Sequence, residues 1–217
     1  MSKAVIISGG TLDEGFAEKI LKENEGACII GVDRGVNYLY RHQIMPQYIV
    51  GDFDSIDADI IEYYRNETNV PIREYNPIKD ASDTEIAIRL SITLGSREIY
   101  ILGATGGRID HLWANIQTLA VACKTGVKAY ILDERNKVWV TDRPCELKKS
   151  EAYGPYLSIF PLDGEVYDFN LTGTKWPLRH HILKPCDSLT VSNQFEDEKV
   201  KIDFPEGLLV IMQTRDE

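Results

Sequence analysis

Apolar runs and helix-period stretches alternate along the first two-thirds of the chain. Ala4–Ser8 reads as a buried strand, closed by Gly9-Gly10 and followed by a helical pattern over Leu12–Glu23. Ala27–Val32 is a second strand, with a helix through Tyr38–His42; Gln47–Val50 is a third, with a helix over Ala58–Arg65. Ile72–Tyr75 adds a short strand, and Ile86, Ile88, Leu90 and Leu94 mark a helical stripe within Thr84–Leu94. Glu98–Leu102, a helix over His111–Lys124 and a strand at Lys128–Leu132 complete the series. Strands that are apolar throughout, alternating with helices, predict a doubly wound, mostly parallel sheet with helices on both faces.

Past about residue 142 the helical period stops. Short alternating runs at Tyr156–Phe160, Glu165–Asn170, Ser188–Ser192, Lys199–Phe204 and Leu208–Gln213 are parted by Asp163-Gly164, Thr172-Gly173, Lys184-Pro185 and Pro205-Glu206-Gly207. Period-two runs between turn residues predict a small antiparallel β-sandwich or barrel. The expected division is an α/β domain over 1–142 and a β-domain over 143–217, with Arg143-Pro144 in the boundary region.

Composition narrows the function. A chain of 217 residues with 43% hydrophobic content can bury a core without metal or disulfide support. A net charge of −10 opposes binding to nucleic-acid backbones, yet suits an enzyme that meets phosphates through a divalent cation. No run approaches the roughly 20 apolar residues of a membrane helix, and the start lacks a signal peptide's long apolar core. Cys28, Cys123, Cys145 and Cys186 are far apart and form no CxxC pair, so reduced thiols and a cytoplasmic location are expected.

Candidate chemistry gathers after the strands, where open parallel sheets bind ligands. Asp33 follows the second strand and Gly51-Asp52-Phe53-Asp54-Ser55 the third. Asp52 and Asp54 point the same way if the chain is extended there, giving two oxygen ligands for Mg²⁺. The same residues also suit a cap on the helix that follows. Lys79-Asp80-Ala81-Ser82-Asp83-Thr84-Glu85 opens another helix, with either Ser82 or Asp83 as cap and the remaining acid available for other work. The most informative stretch is Gly103-Ala104-Thr105-Gly106-Gly107-Arg108-Ile109-Asp110-His111. Its glycines let backbone N–H groups approach a phosphate, the helix start adds partial positive charge, and Arg108 offers a planar fork. It is neither a Walker A loop nor GxGxxG. His111 reads as a helix support, and His42, His180 and His181 lack metal-ligand spacing. In the β-rich part Trp176 stands beside a turn, and Ser192-Asn193 ends an apolar run.

Together these segments resemble the thiamine pyrophosphokinase family. The matching stretches are Gly31 to Asn37, Gly51 to Ile56, Lys79-Asp80 with Ser82 to Glu85, Gly103 to Asn115, Leu171 to Leu178, and Val191 to Asn193. The resemblance implies a catalytic α/β domain, a β-domain that binds thiamine, and a homodimer with active sites between subunits. It implies pyrophosphate transfer from ATP to the hydroxyl of thiamine. Asp52, Asp54 and Asp80 or Asp83 would surround Mg²⁺ and the phosphates, with Asp52, Asp54 and Asp80 as metal ligands. Arg108 and Asp110 would work at the transferring group. Asp33, Asn37, Gly103, Thr105, Gly106, Gly107 and Arg108 would hold the nucleotide, and Trp176, Ser192 and Asn193 would line the thiamine pocket. The chain departs from the family pattern at Arg34, where Gly is usual, and at Ser82, where Thr is usual. The rival readings are a Mg²⁺-dependent nucleotide phosphohydrolase using the same acids, and a non-catalytic nucleotide or thiamine sensor.

Overall fold

The computed structural model describes residues 2–74 and 81–216, and the chain divides into two compact units at residues 134 and 135. The first holds strands β1 (Lys3–Ile7), β2 (Cys28–Val32), β3 (Tyr48–Gly51), β4 (Ile72–Glu74), β5 (Glu98–Leu102) and β6 (Lys128–Leu132). Helices α1 (Glu14–Glu23), α2 (Gly35–Arg41), α3 (Ala58–Glu67), α4 (Asp83–Thr93) and α5 (Ile109–Lys124) connect them. All pairings here are parallel, in the order β4-β3-β2-β1-β5-β6. The strands are apolar because helices cover them: Ala4, Val5, Ile6 and Ile7 are wholly buried, as are Ile99, Ile101 and Leu102. Burying each such Ile or Leu contributes about 1.5–3 kcal/mol. Strand order reverses between β1 and β5, so their carboxyl ends open a crevice.

The helix starts resolve two alternatives. Ser82 caps α4, its hydroxyl accepting from the Glu85 N–H at 3.2 Å, which leaves Asp83 as the first helical residue. Helix α3 has Asp57 at its cap position, so Asp52, Asp54 and Ser55 do not cap it. The condition under which Asp52 and Asp54 would point the same way, an extended chain, is not met at Phe53. Phe53 has φ 64, because its ring is buried against Val36, Ile49, Ile56 and Ile60 and turns the backbone with it. Burial of the ring offsets a backbone state that costs on the order of 1–3 kcal/mol.

The second unit is antiparallel. Strands β7 (Asn136–Thr141), β8 (Cys145–Lys148), β9 (Tyr156–Pro161), β10 (Val166–Thr172), β11 (Leu178–Leu183), β12 (Asn193–Gln194), β13 (Lys199–Asp203) and β14 (Leu209–Thr214) form two layers. One runs β12-β9-β14-β7 and the other β11-β10-β13-β8. Leu157, Ile159, Leu209 and Ile211 from the first layer and Phe169, Leu171, Val200 and Ile202 from the second share one core, the arrangement of a sandwich. This unit begins at Arg135, ahead of the expected start at 143, because β7 pairs with β14 along its whole length. The strand expected at Ser188–Ser192 is a turn instead; Ser192 has φ 56, and pairing starts at Asn193.

Candidate active site

The crevice at the β1/β5 reversal is a cleft of about 730 Å³ in the first unit. Each wall is a strand's carboxyl end or a helix start. Ser8 to Thr11 follow β1, Asp33 and Arg34 follow β2, Asp52, Asp54 and Ser55 follow β3, and Gly103, Gly106, Gly107 and Arg108 follow β5. Ser82, Asp83 and Thr84 come from the start of α4, and Asp110, His111 and Asn115 from α5. Residues separated by up to about a hundred positions therefore converge because every one sits at the same edge of a parallel sheet.

Of the residues singled out by sequence, Asp33, Asp52, Asp54, Asp83, Gly103, Gly106, Gly107, Arg108 and Asp110 line this cleft. Asp80 lies outside the described residues. Thr105 presents its backbone instead: a Cβ on Gly10 would lie 2.9 Å from the Thr105 carbonyl oxygen. Asn37 lines a smaller adjoining chamber of about 210 Å³, sharing Ser8, Gly9, Gly10 and Arg34 with the main cleft. Its Oδ1 is buried with no hydrogen-bond partner among the described residues. Sequence reasoning missed Ser8, Gly10, Thr11, Thr84 and Asn115 as cleft residues. The signal for the first three was the Gly9-Gly10 pair ending a buried strand, the counterpart of Gly103 after β5.

The glycines here answer to close approach. The Gly10 N–H donates to the Gly103 carbonyl at 2.7 Å, and a Cβ on Gly10 would meet that oxygen at 2.4 Å. Gly106 has φ 79, and a Cβ there would lie 2.5 Å from the Thr11 hydroxyl oxygen. The two loops are thus zipped backbone to backbone, and Asn115 locks the second to α5 by donating to the Ala104 carbonyl at 3.0 Å.

Electrostatics set what the cleft can take. Among the described residues five carboxylates line it against the guanidiniums of Arg34 and Arg108. Arg108 grips Asp110 in a two-point fork at 3.1 and 2.5 Å, and this bond holds the Asp110 carboxyl below its ordinary range. Arg34 turns back on its own scaffold, donating from Nε and Nη2 to the Gly9 carbonyl at 3.1 and 2.8 Å. An acidic wall repels a polyphosphate unless a divalent cation intervenes. Asp52 and Asp54 suit that role in number and kind, since Mg²⁺ takes one or two carboxylates and completes its shell with water and phosphate. Asp52 also accepts from the Asp54 N–H at 3.3 Å, which orders the turn carrying both. No group of three or more His, Cys, Asp or Glu suited to a metal occurs among the described residues.

In the second unit Asn193 is 1% exposed, and its amide grips the Trp176 backbone, accepting from the N–H at 3.1 Å and donating to the carbonyl at 2.8 Å. The Trp176 indole remains 51% exposed, with the Lys175 ammonium 4.8 Å from its ring centre. Ser192 holds the approach to Asn193 by donating its N–H to the Ser158 hydroxyl at 3.0 Å. The structure therefore brings Trp176, Ser192 and Asn193 together, with Asn193 acting through the tryptophan backbone. No described helix is long and apolar enough to cross a membrane.

Comparison with known proteins gives a consistent set. A family model for the thiamin pyrophosphokinase catalytic domain matches residues 20–131, and one for the thiamin pyrophosphokinase vitamin B1 binding domain matches residues 145–209. The thiamine pyrophosphokinase of Bacillus subtilis (strain 168) is 31% identical over 195 residues, covering 89% of this chain and 90% of that one. The crystal structure of thiamine pyrophosphokinase from Bacillus subtilis superposes with a TM-score of 0.87 at 26% identity, covering 100% of both chains. That of thiamin pyrophosphokinase from Geobacillus thermodenitrificans gives 0.83 at 28% identity, over 100% of this chain and 99% of the other. The yeast thiamin pyrophosphokinase shares the fold, with a TM-score of 0.81 at 16% identity over 98% and 86% of the two chains.

Proposed function

The chain belongs to the thiamin pyrophosphokinase family, and from that premise we propose how its own residues transfer pyrophosphate from ATP to the hydroxyl of thiamine, giving thiamine diphosphate and AMP. The observation that carries the assignment of roles is the convergence of Asp52, Asp54, Asp83, Arg108 and Asp110 on one cleft with a glycine turn. Such transfers depend on positioning and charge neutralisation more than on covalent chemistry.

In this reading the backbone N–H groups of the Gly103–Gly107 turn and the start of α5 cradle the polyphosphate. Asp52 and Asp54, with Asp80 as the third candidate, would hold Mg²⁺, which when bound would neutralise charge on the phosphate oxygens. Arg108 leaves or shares its fork with Asp110 to meet the equatorial oxygens of the transferring group. Asp110 or Asp80 orients the thiamine hydroxyl and takes its proton as the oxygen attacks the β-phosphorus in line; AMP departs with the bridging electron pair. Asp110 suits acceptance only transiently, because the Arg108 bond keeps it a weak base. Asn37 and Asp33 serve the nucleoside end of ATP beside the smaller chamber.

Trp176 offers an exposed aromatic face to a cationic thiazolium, and Ser192 and Asn193 form the support beneath it. A homodimer with active sites between subunits, in the cytoplasm, is the assembly and setting this reading adopts from the family resemblance.

The test is a product assay with ATP, Mg²⁺ and thiamine. AMP and thiamine diphosphate should appear together and in equal amounts. Hydrolysis of ATP at the same rate without thiamine would point to a phosphohydrolase, and binding of both ligands without turnover to a sensor.

A further inference from the structure

Two hydroxyls in the cleft have no role in the scheme above. Ser8 closes β1 and Thr84 stands in the first turn of α4, 76 positions apart, and their oxygens meet at 3.0 Å. Ser8 is 4% exposed and Thr84 8%, and both line the main cleft. A hydroxyl carries one hydrogen and accepts on two lone pairs. The pair therefore holds two hydrogens, and the mutual bond uses one. The other finds no acceptor among the described residues, and neither side chain has a further bond there. A buried donor without an acceptor is costly, about 1–3 kcal/mol when nothing replaces it.

We propose that Ser8 and Thr84 act as one unit that presents a hydroxyl hydrogen to an anionic phosphate oxygen of the nucleotide. The proposal rests on reading the cleft as the nucleotide site. Its location supports an oxyanion over a neutral acceptor: the glycine turn that follows β5 adjoins Ser8, and the positive end of the α4 dipole adjoins Thr84. The mutual bond also strengthens the donor, because a hydroxyl that accepts a hydrogen bond donates more strongly. Either residue can supply the outward hydrogen, since either can be the donor in the pair.

That exchangeability sets the test. Activity is compared for Ser8→Ala, Thr84→Val and the double variant, with KM for ATP and for thiamine read separately. Removing one hydroxyl leaves the other with its own hydrogen to present, so each single variant should lose about two- to threefold in kcat/KM for ATP. Removing both abolishes the donor and should lose about 10- to 150-fold, the range for a hydrogen bond to a charged acceptor, with KM for thiamine unchanged. The double loss exceeds the product of the singles. A strut that only ties β1 to α4 behaves oppositely: either single variant breaks it, and the double adds nothing. That outcome overturns the proposal. A second measurement varies the acceptor. Sulfur is a poor acceptor, so replacing a non-bridging phosphate oxygen of ATP by sulfur should slow the wild type and each single variant, which keep a donor, more than it slows the double variant, which has none; equal slowing of the wild type and the double variant at every position tested overturns the proposal. Wild-type formation of AMP and thiamine diphosphate, run alongside, tests the underlying reading independently.

Discussion

Replacing Asn193 with Leu keeps the branched shape of a buried side chain and deletes its amide. Three contacts go with it: the Trp176 N–H at 3.1 Å, the Trp176 carbonyl at 2.8 Å and the Gln194 N–H at 2.9 Å. An unsatisfied buried polar group costs about 1–3 kcal/mol, so three such groups set an upper bound of roughly 3–9 kcal/mol. The Trp176 carbonyl keeps the Thr174 hydroxyl at 3.3 Å, and water can reach the strand beside the exposed indole. Two N–H groups at the low end of the range remain, giving an expected loss of about 2–3 kcal/mol. That is a sizeable part of the 5–15 kcal/mol typical of a domain, yet leaves the protein folded. Urea unfolding followed by far-UV circular dichroism measures it. Because the amide also holds the tryptophan backbone, KM for thiamine should rise several-fold while KM for ATP stays put. A change below about 0.5 kcal/mol with thiamine KM unaltered would refute the reasoning, since that is the scatter of substitutions that touch nothing.

Asp52→Asn should cut kcat at least about a hundredfold while ATP binding changes little, as expected for a group acting on charge in the transition state; wild-type turnover would remove the metal assignment. Gly106→Ala demands a left-handed backbone at φ 79 and a Cβ 2.5 Å from the Thr11 hydroxyl. Loss of most ATP-dependent activity is expected, with partial recovery on adding Thr11→Gly, and steady-state kinetics on the two variants checks it. Tyr64 and Tyr100 are pushed up to about 12 by burial, from an ordinary value near 10. The raised folded-state value means their contribution is complete below pH 10 and is lost as pH climbs from 10 through 12. Unfolding midpoints should therefore fall across that window, and Tyr64→Phe with Tyr100→Phe should flatten the fall; an unchanged alkaline slope in the double variant would contradict it.

The alternation of buried strands and helices was legible in the sequence because the inner parallel strands are covered on both faces. Apolar runs such as Ala4–Ile7 and Ile99–Leu102 mark strands buried under helices. The chemistry was legible for a related reason: Asp33, Asp52, Gly103 and Arg108 each follow such a strand, and parallel topology places all those ends at one edge. The second unit was harder. Leu178–Leu183 carries two histidines and an arginine yet forms β11, because its bulged pairing with β10, with Asp168 and His180 both in left-handed conformations, breaks the two-residue period that marks a strand. Ser188–Ser192 has that apolar period and is a turn.

What local sequence determined, then, was the kind of the elements in the first unit and the acidic and glycine-rich segments that follow its strands. Tertiary packing decided how those groups are presented. Phe53 enters the core and bends the Asp52–Asp54 segment, and Asn193 is drawn inside to hold Trp176. Each outcome depends on partners distant in the chain: the hydrophobic cluster under Phe53, or the backbone across from Asn193. Hydrogen-bond satisfaction and close packing are conditions on the whole fold, so they cannot be read from a window of neighbouring residues.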